Sequence, residues 1–216
     1  MGTVPIDVAG LRALLPELDD APGPELTDGG TADGLRFTDL ELTGDATGAR
    51  FLECELTGCD LSGVGFDRAR LASCLLTDLR SPSWSLVGST LLDVVVVGGR
   101  FGALTAPGAE LTRVALQEVK VDFLDLRGAT LVDVTLTGCT VDELDLSGAD
   151  LRDVRLVDCT VGSLLLEGAR NRAVDLRGAD VARLAGVGDL RGCTISPEQL
   201  TGWAAGMAAE LGIRVG

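Results

Sequence analysis

The sequence predicts an all-β solenoid, a right-handed quadrilateral parallel β-helix of five-residue repeats with a short N-terminal helix and a C-terminal capping and dimerisation helix. Three observations predict it. From Phe51 to Val181 every fifth residue is Leu, Phe or Val at 24 of 27 positions, Ser81, Ala106 and Asn171 being the exceptions. That period fits neither the 3.6 residues of a helical stripe nor the two of a half-buried strand, which leaves an internal repeat. A second period of twenty lies beneath it. Finally, 29 glycines, no tyrosine and only 3% aromatic residues imply many short segments joined by tight turns.

The longer period appears two residues before each repeated apolar centre. One column reads Ala49, Ala69, Ser89, Ala109, Ala129, Ala149, Ala169 and is small throughout; the next runs from Cys54 and Cys74 through Val94 to Val174 and is of medium size. A third is mixed, with Cys59, Leu79, Gly99 and Val119 among it, and the fourth, from Trp84 through Leu104 to Leu184, is large. Gly48, Gly88, Gly108, Gly128, Gly148, Gly168 and Gly188 recur at twenty as well, with Arg68 breaking the series. Four five-residue units per twenty residues describe a four-sided coil that stacks like on like. At roughly 4.8 Å per coil, about seven coils make a rod on the order of 30 Å long. Glycine at a recurring corner suits positive φ.

The expected organisation is residues 1–34 as N-terminal helix and acidic linker, 35–195 as β-helix, and 196–216 as C-terminal helix and short strand. "PIDVAGLRALLPEL" reads as an amphipathic helix with Leu11, Leu14 and Leu15 on one side, stopped by Pro16, and "DDAPGPELTDGGTADG" as the linker. Phe37 and Leu42 keep the five-residue spacing in another frame, which slips at "GDATGA". Stacked coils leave open edges, so both terminal segments are expected to cap them. In "SPEQLTGWAAGMAAELG", Ser196 is placed as N-cap and Pro197 at the first helical position. Leu200, Trp203, Met207 and Leu211 form a stripe, and Ile213 and Val215 alternate in a short edge strand. The stripe either covers its own last coil or also joins two chains end to end.

"GADLRD", "GATLVD" and "CDLSG" resemble the units of the pentapeptide-repeat family, commonly written A-[DN]-L-x-x, over about 130 residues. The resemblance implies a right-handed quadrilateral β-helix. The layout of array, helix and strand also resembles the Qnr-type, gyrase-protecting branch of that family. That likeness implies a DNA-mimicking rod that dimerises through its C-terminal segment and binds DNA gyrase or another type II topoisomerase. The array has no inserted loop of the kind that projects from some Qnr-type members, which favours inhibition or binding over protection.

Composition narrows the chemistry. A net charge of −15 opposes direct contact with nucleic acid, which is gripped by Lys and Arg, and favours a basic partner or simple solubility. The absence of histidine excludes triads and histidine metal sites, and no phosphate loop or paired-cysteine zinc motif is present. No enzyme activity, cofactor or metal is expected. Cys54, Cys59, Cys74, Cys139, Cys159 and Cys193 sit at inward positions and read as reduced core fillers. With no secretory leader and no apolar run of membrane-spanning length, a cytoplasmic location is expected.

Mimicry needs carboxylates at regular spacing. Two outward columns flank the valine-lined side and supply Asp93, Asp133 and Asp153 in one and Asp78, Glu118 and Asp158 in the other, with Arg113 interrupting. The competing reading is a scaffold that presents flat sides to some other protein, its acidity serving only solubility.

Overall fold

The computed structural model describes residues 6–214. It is a parallel β-solenoid of about nine turns with one short helix at each end of the chain. From the strand Arg70–Thr77 onward each coil pairs with the next at a constant offset of twenty residues, Leu71 with Leu91, Leu91 with Leu111, Leu111 with Leu131 and Leu131 with Leu151. A coil consists of one eight-residue and one six-residue strand, as in Thr130–Thr137 and Thr140–Asp145. Each strand bends midway, so the coil has four sides. In that coil they are residues 130–132, 134–137, 139–142 and 144–147, called the first to fourth sides here and in every other coil.

The corners explain the shape. Left-handed φ values occur at Gly128 (62°), Asp133 (56°) and Gly138 (62°), and again at the equivalent positions twenty residues away in either direction. The fourth corner, at Glu143, needs no such conformation. The repeated apolar centres and the residues two before them all point into the lumen, where like residues stack into one continuous core. An aromatic ladder fills its N-terminal half: Phe37, Phe51, Phe66, Trp84 and Phe101 follow one another with ring centroids 5.3–6.3 Å apart. All six cysteines are free thiols, five of them buried. Cys139 is pushed far above the ordinary thiol value, first by its hydrogen bond with Cys159 and then by burial.

The solenoid is longer than the regular period suggests. Parallel pairing begins at Asp19–Asp20, inside the stretch read as an acidic linker, with Asp19 on Leu35, Glu25 on Thr43, Ala32 on Phe51 and Phe37 on Leu56. Offsets of 16 to 19 residues replace twenty there, so these coils do not line up with the main columns. At the other end Val174 pairs with Cys193, also one residue short. Asn171 ends the apolar stack there: its side-chain nitrogen donates to the carbonyl of Asp189 in the final turn.

The N-terminal helix α1, Val8–Arg12, does not cap the end as expected; it lies along the flank. Asp7 caps it, accepting from the Gly10 amide at 2.7 Å. Leu11 is fully buried against Leu75, Val95 and Ala115, while Leu14, expected on the same side, is exposed. Those three partners point outward from the second side on successive coils, so α1 covers an apolar stripe on the rod's exterior. An ion pair from Arg12 to Glu55 at 3.3 Å fastens it.

The C-terminal helix α2, Pro197–Glu210, begins in a full capping box: Ser196 accepts from the Gln199 amide and Gln199 from the Ser196 amide. It closes the last coil. Trp203 is buried and its indole N–H donates to the Val181 carbonyl at 3.0 Å. The Gln199 amide group donates to the Leu176 carbonyl at 2.6 Å, which also accepts from the Ala179 amide, and to the Ala179 carbonyl at 2.7 Å. Ile213 is not in a strand, and Val215 lies outside the described residues.

Candidate interaction surface

All six acids expected to form a partner-binding face occupy corners. Asp78, Asp93, Glu118, Asp133, Asp153 and Asp158 have φ between 51° and 56°. Among residues with a side chain, Asp and Asn tolerate this region best, so the backbone itself selects for Asp at these positions. Arg68 and Arg113 adopt it too, at 54° and 51°.

The two columns differ in what surrounds them. In the first, Asp93 is held by a two-pronged pair with Arg113, Nε and Nη2 each 2.6 Å from a carboxylate oxygen. Asp133 is buried, with the Arg155 guanidinium 4.0 Å away, and Asp153 is half-buried. This column is largely neutralised or withdrawn from solvent. In the second, Asp78, Glu118 and Asp158 are all exposed, and no ion pair engages them among the described residues.

This second corner alternates acid and glycine: Asp39, Gly58, Asp78, Gly98, Glu118, Gly138, Asp158. The carboxylate of Asp39 lies over Gly58 and that of Asp78 over Gly98, in the space a Cβ would occupy. Three exposed acids therefore stand on alternate coils, about 10 Å apart. Because Gly138 has φ +62° and a Cβ there would meet only ordinary contact with Glu118, Gly138→Asn should leave thermal stability nearly unchanged. Gly138→Val should cost about 1–2 kcal/mol. Equal melting temperatures for the two variants would refute the conformational account of this corner.

Other acids work within the fold. Asp45, Asp60, Asp125, Asp145 and Asp175 each accept from the backbone amide two residues on, shaping turns. The Arg127 and Arg177 side chains, hydrogen-bonded to Asp125 and Asp175, hold those carboxyls below the usual range. These five of the 33 acids thus serve the fold. Among the described residues no cluster of His, Cys, Asp and Glu suits a metal ion, and no helix is long and apolar enough to cross a membrane.

The expected dimerisation stripe divides. Trp203 and Met207 pack on the chain's own last coil, whereas Leu200, Leu211 and Ile213 are exposed, at 53%, 62% and 56%.

A family model for pentapeptide repeats matches eight copies, over residues 45–78 and 131–161. Over those two stretches the chain carries pentapeptide repeats. No curated protein matches it. Among solved structures, full-length QnrB1, a plasmid-mediated fluoroquinolone resistance protein, overlaps at 18% identity, covering 90% of this chain and 100% of that one, with a TM-score of 0.27. HetL, a pentapeptide-repeat protein involved in regulating heterocyst differentiation in the cyanobacterium Nostoc sp. strain PCC 7120, overlaps at 19% identity, 81% and 92% coverage and a TM-score of 0.29. Likeness at this level carries no argument about function. What the repeat provides is the rigid corner on which side chains recur coil by coil.

Proposed function

We propose that this protein is a non-enzymatic, DNA-mimicking pentapeptide-repeat rod that binds the basic DNA-binding surface of a type II topoisomerase such as DNA gyrase and modulates it. The observation that carries the reading is the exposed corner of Asp78, Glu118 and Asp158, a row of carboxylates at fixed spacing on a rigid edge. Such a row presents a basic groove with regularly placed negative charge, as a phosphate backbone does, and steers association over a Debye length. A homodimer through the exposed Leu200, Leu211 and Ile213 of the C-terminal segment would lengthen that edge.

The test is supercoiling by purified gyrase with increasing amounts of the protein, with and without a fluoroquinolone. Dose-dependent inhibition, or relief of drug poisoning, is expected. The triple variant Asp78→Asn, Glu118→Asn, Asp158→Asn should weaken it at least tenfold with an unchanged circular dichroism spectrum, since Asn is at home in a left-handed corner. Full activity in the triple variant would remove this edge as the contact. No effect by the parent protein would favour a scaffold for another partner, a reading that the Asp93–Arg113 pair and the burial of Asp133 support.

A further inference from the structure

We propose that the third side of the rod is a self-association surface that takes a second copy of this chain in antiparallel orientation. Over the six coils from Arg80 to Asp180 its charge is segregated by height. One outward column, paired coil to coil, reads Glu41, Asp60, Arg80, Arg100, Lys120, Thr140, Thr160, Asp180, and the six from Arg80 onward are exposed. The neighbouring column carries Asp122 and Asp142 between Pro82 and Gly102 on earlier coils and Gly162 and Ala182 on later ones. From Arg80 to Asp180 three cations and three acids balance, in a chain whose net charge is −15. Within that stretch the cations occupy the earlier coils and the acids the middle and later ones; Asp60 and Glu41 lie on the coils before it.

A parallel copy, related by an axis along the rod, would swap the two columns and set Arg80 and Asp180 against the second copy's Pro82 and Ala182, leaving both charges without an opposite partner. A two-fold axis level with the gap between the coils of Lys120 and Thr140 brings unlike residues together and makes the contact isologous. It sets Arg80 against the second copy's Asp180 and Lys120 against the second copy's Thr140. The same axis sets Gly102 against the second copy's Gly162. These are the bare positions of the side: a Cβ on Gly102 would run into the Pro82 carbonyl and one on Gly162 into the Asp142 carbonyl. The acids that meet at the centre have cations beside them, Asp122 through its pair with Arg100 at 3.2 Å and Asp142 through the second copy's Lys120. Charge and shape thus select one register.

The side is about 25 Å tall and, four residues wide, on the order of 10 Å across, so it offers less than the roughly 800 Å² per partner of a standard stable interface. The association is accordingly weak and sensitive to salt. It is independent of the C-terminal helix, so it is measured in a Leu200→Asp, Leu211→Asp background by sedimentation velocity at low and at physiological ionic strength. Self-association is expected at low salt and should diminish as salt rises. Arg80→Asp alone and Asp180→Arg alone should each weaken it at least tenfold. Mixing those two variants, or combining both substitutions in one chain, should restore it, because each then recreates an opposite-charge pair across the axis. A background protein that stays monomeric at low salt, single variants that associate normally, or a double swap that fails to recover would each overturn the proposal. A gyrase result in either direction leaves it untouched.

Discussion

Phe66→Ala is expected to lower stability by about 3–5 kcal/mol, the range for emptying a buried aromatic site. Phe66 is fully buried, with Phe51 at 5.3 Å on one side and Trp84 at 5.6 Å on the other. The lumen cannot collapse around the hole, because the backbone spacing is set by hydrogen bonds between coils rather than by side-chain volume. Nearly every long-range contact links adjacent coils, so the damage should stay local, as in other quasi-one-dimensional folds. Thermal unfolding followed by hydrogen exchange should show coils before Ser62 opening first while those beyond Leu111 keep their protection. Uniform loss of protection along the rod would show that the coils melt as one unit.

Trp203→Asp should cost a comparable amount, about 3–5 kcal/mol, at the other end. The substitution removes the indole that covers the last coil and its bond to the Val181 carbonyl, and it places a charge over the open lumen. Helix α2 should detach, the coil containing Val181 should lose exchange protection, and the freed strand edge should promote aggregation. Leu200→Asp, one turn earlier on the exposed side, should leave stability unchanged and affect only association through α2. If the two variants were equally destabilised, the division of this helix into a covering and an outward side would be wrong.

The array was legible in the sequence because steric stacking in a narrow lumen demands like residues at like positions, so the columns under Ala49, Cys54, Cys59 and Trp84 disclose both the period and the number of sides. What escaped detection had other causes. The first coils were hidden because their offsets of 16 to 19 residues break any fixed frame, and the acidic, proline-containing stretch reads locally as a linker. The lateral seat of α1 has a trace in the apolar outward residues Leu75, Val95 and Ala115, which lie outside the inward columns that carry the period. The acids were found, yet their positions owe as much to backbone geometry as to charge. The alternation of acid and glycine from Asp39 to Asp158 was the available sign that this column is a corner.

The constant offset of twenty between Arg70 and Ala185 has an evolutionary consequence. Removing or duplicating any run of twenty residues within it rejoins small to small, large to large and corner to corner, with no new loop to close and no new core to design. Rod length is therefore a heritable dimension that unequal recombination can adjust in steps of about 4.8 Å, while both terminal fittings and the angular order of the sides stay as they were. A lineage could match its reach to a partner's groove by counting coils, long before any single surface residue was refined.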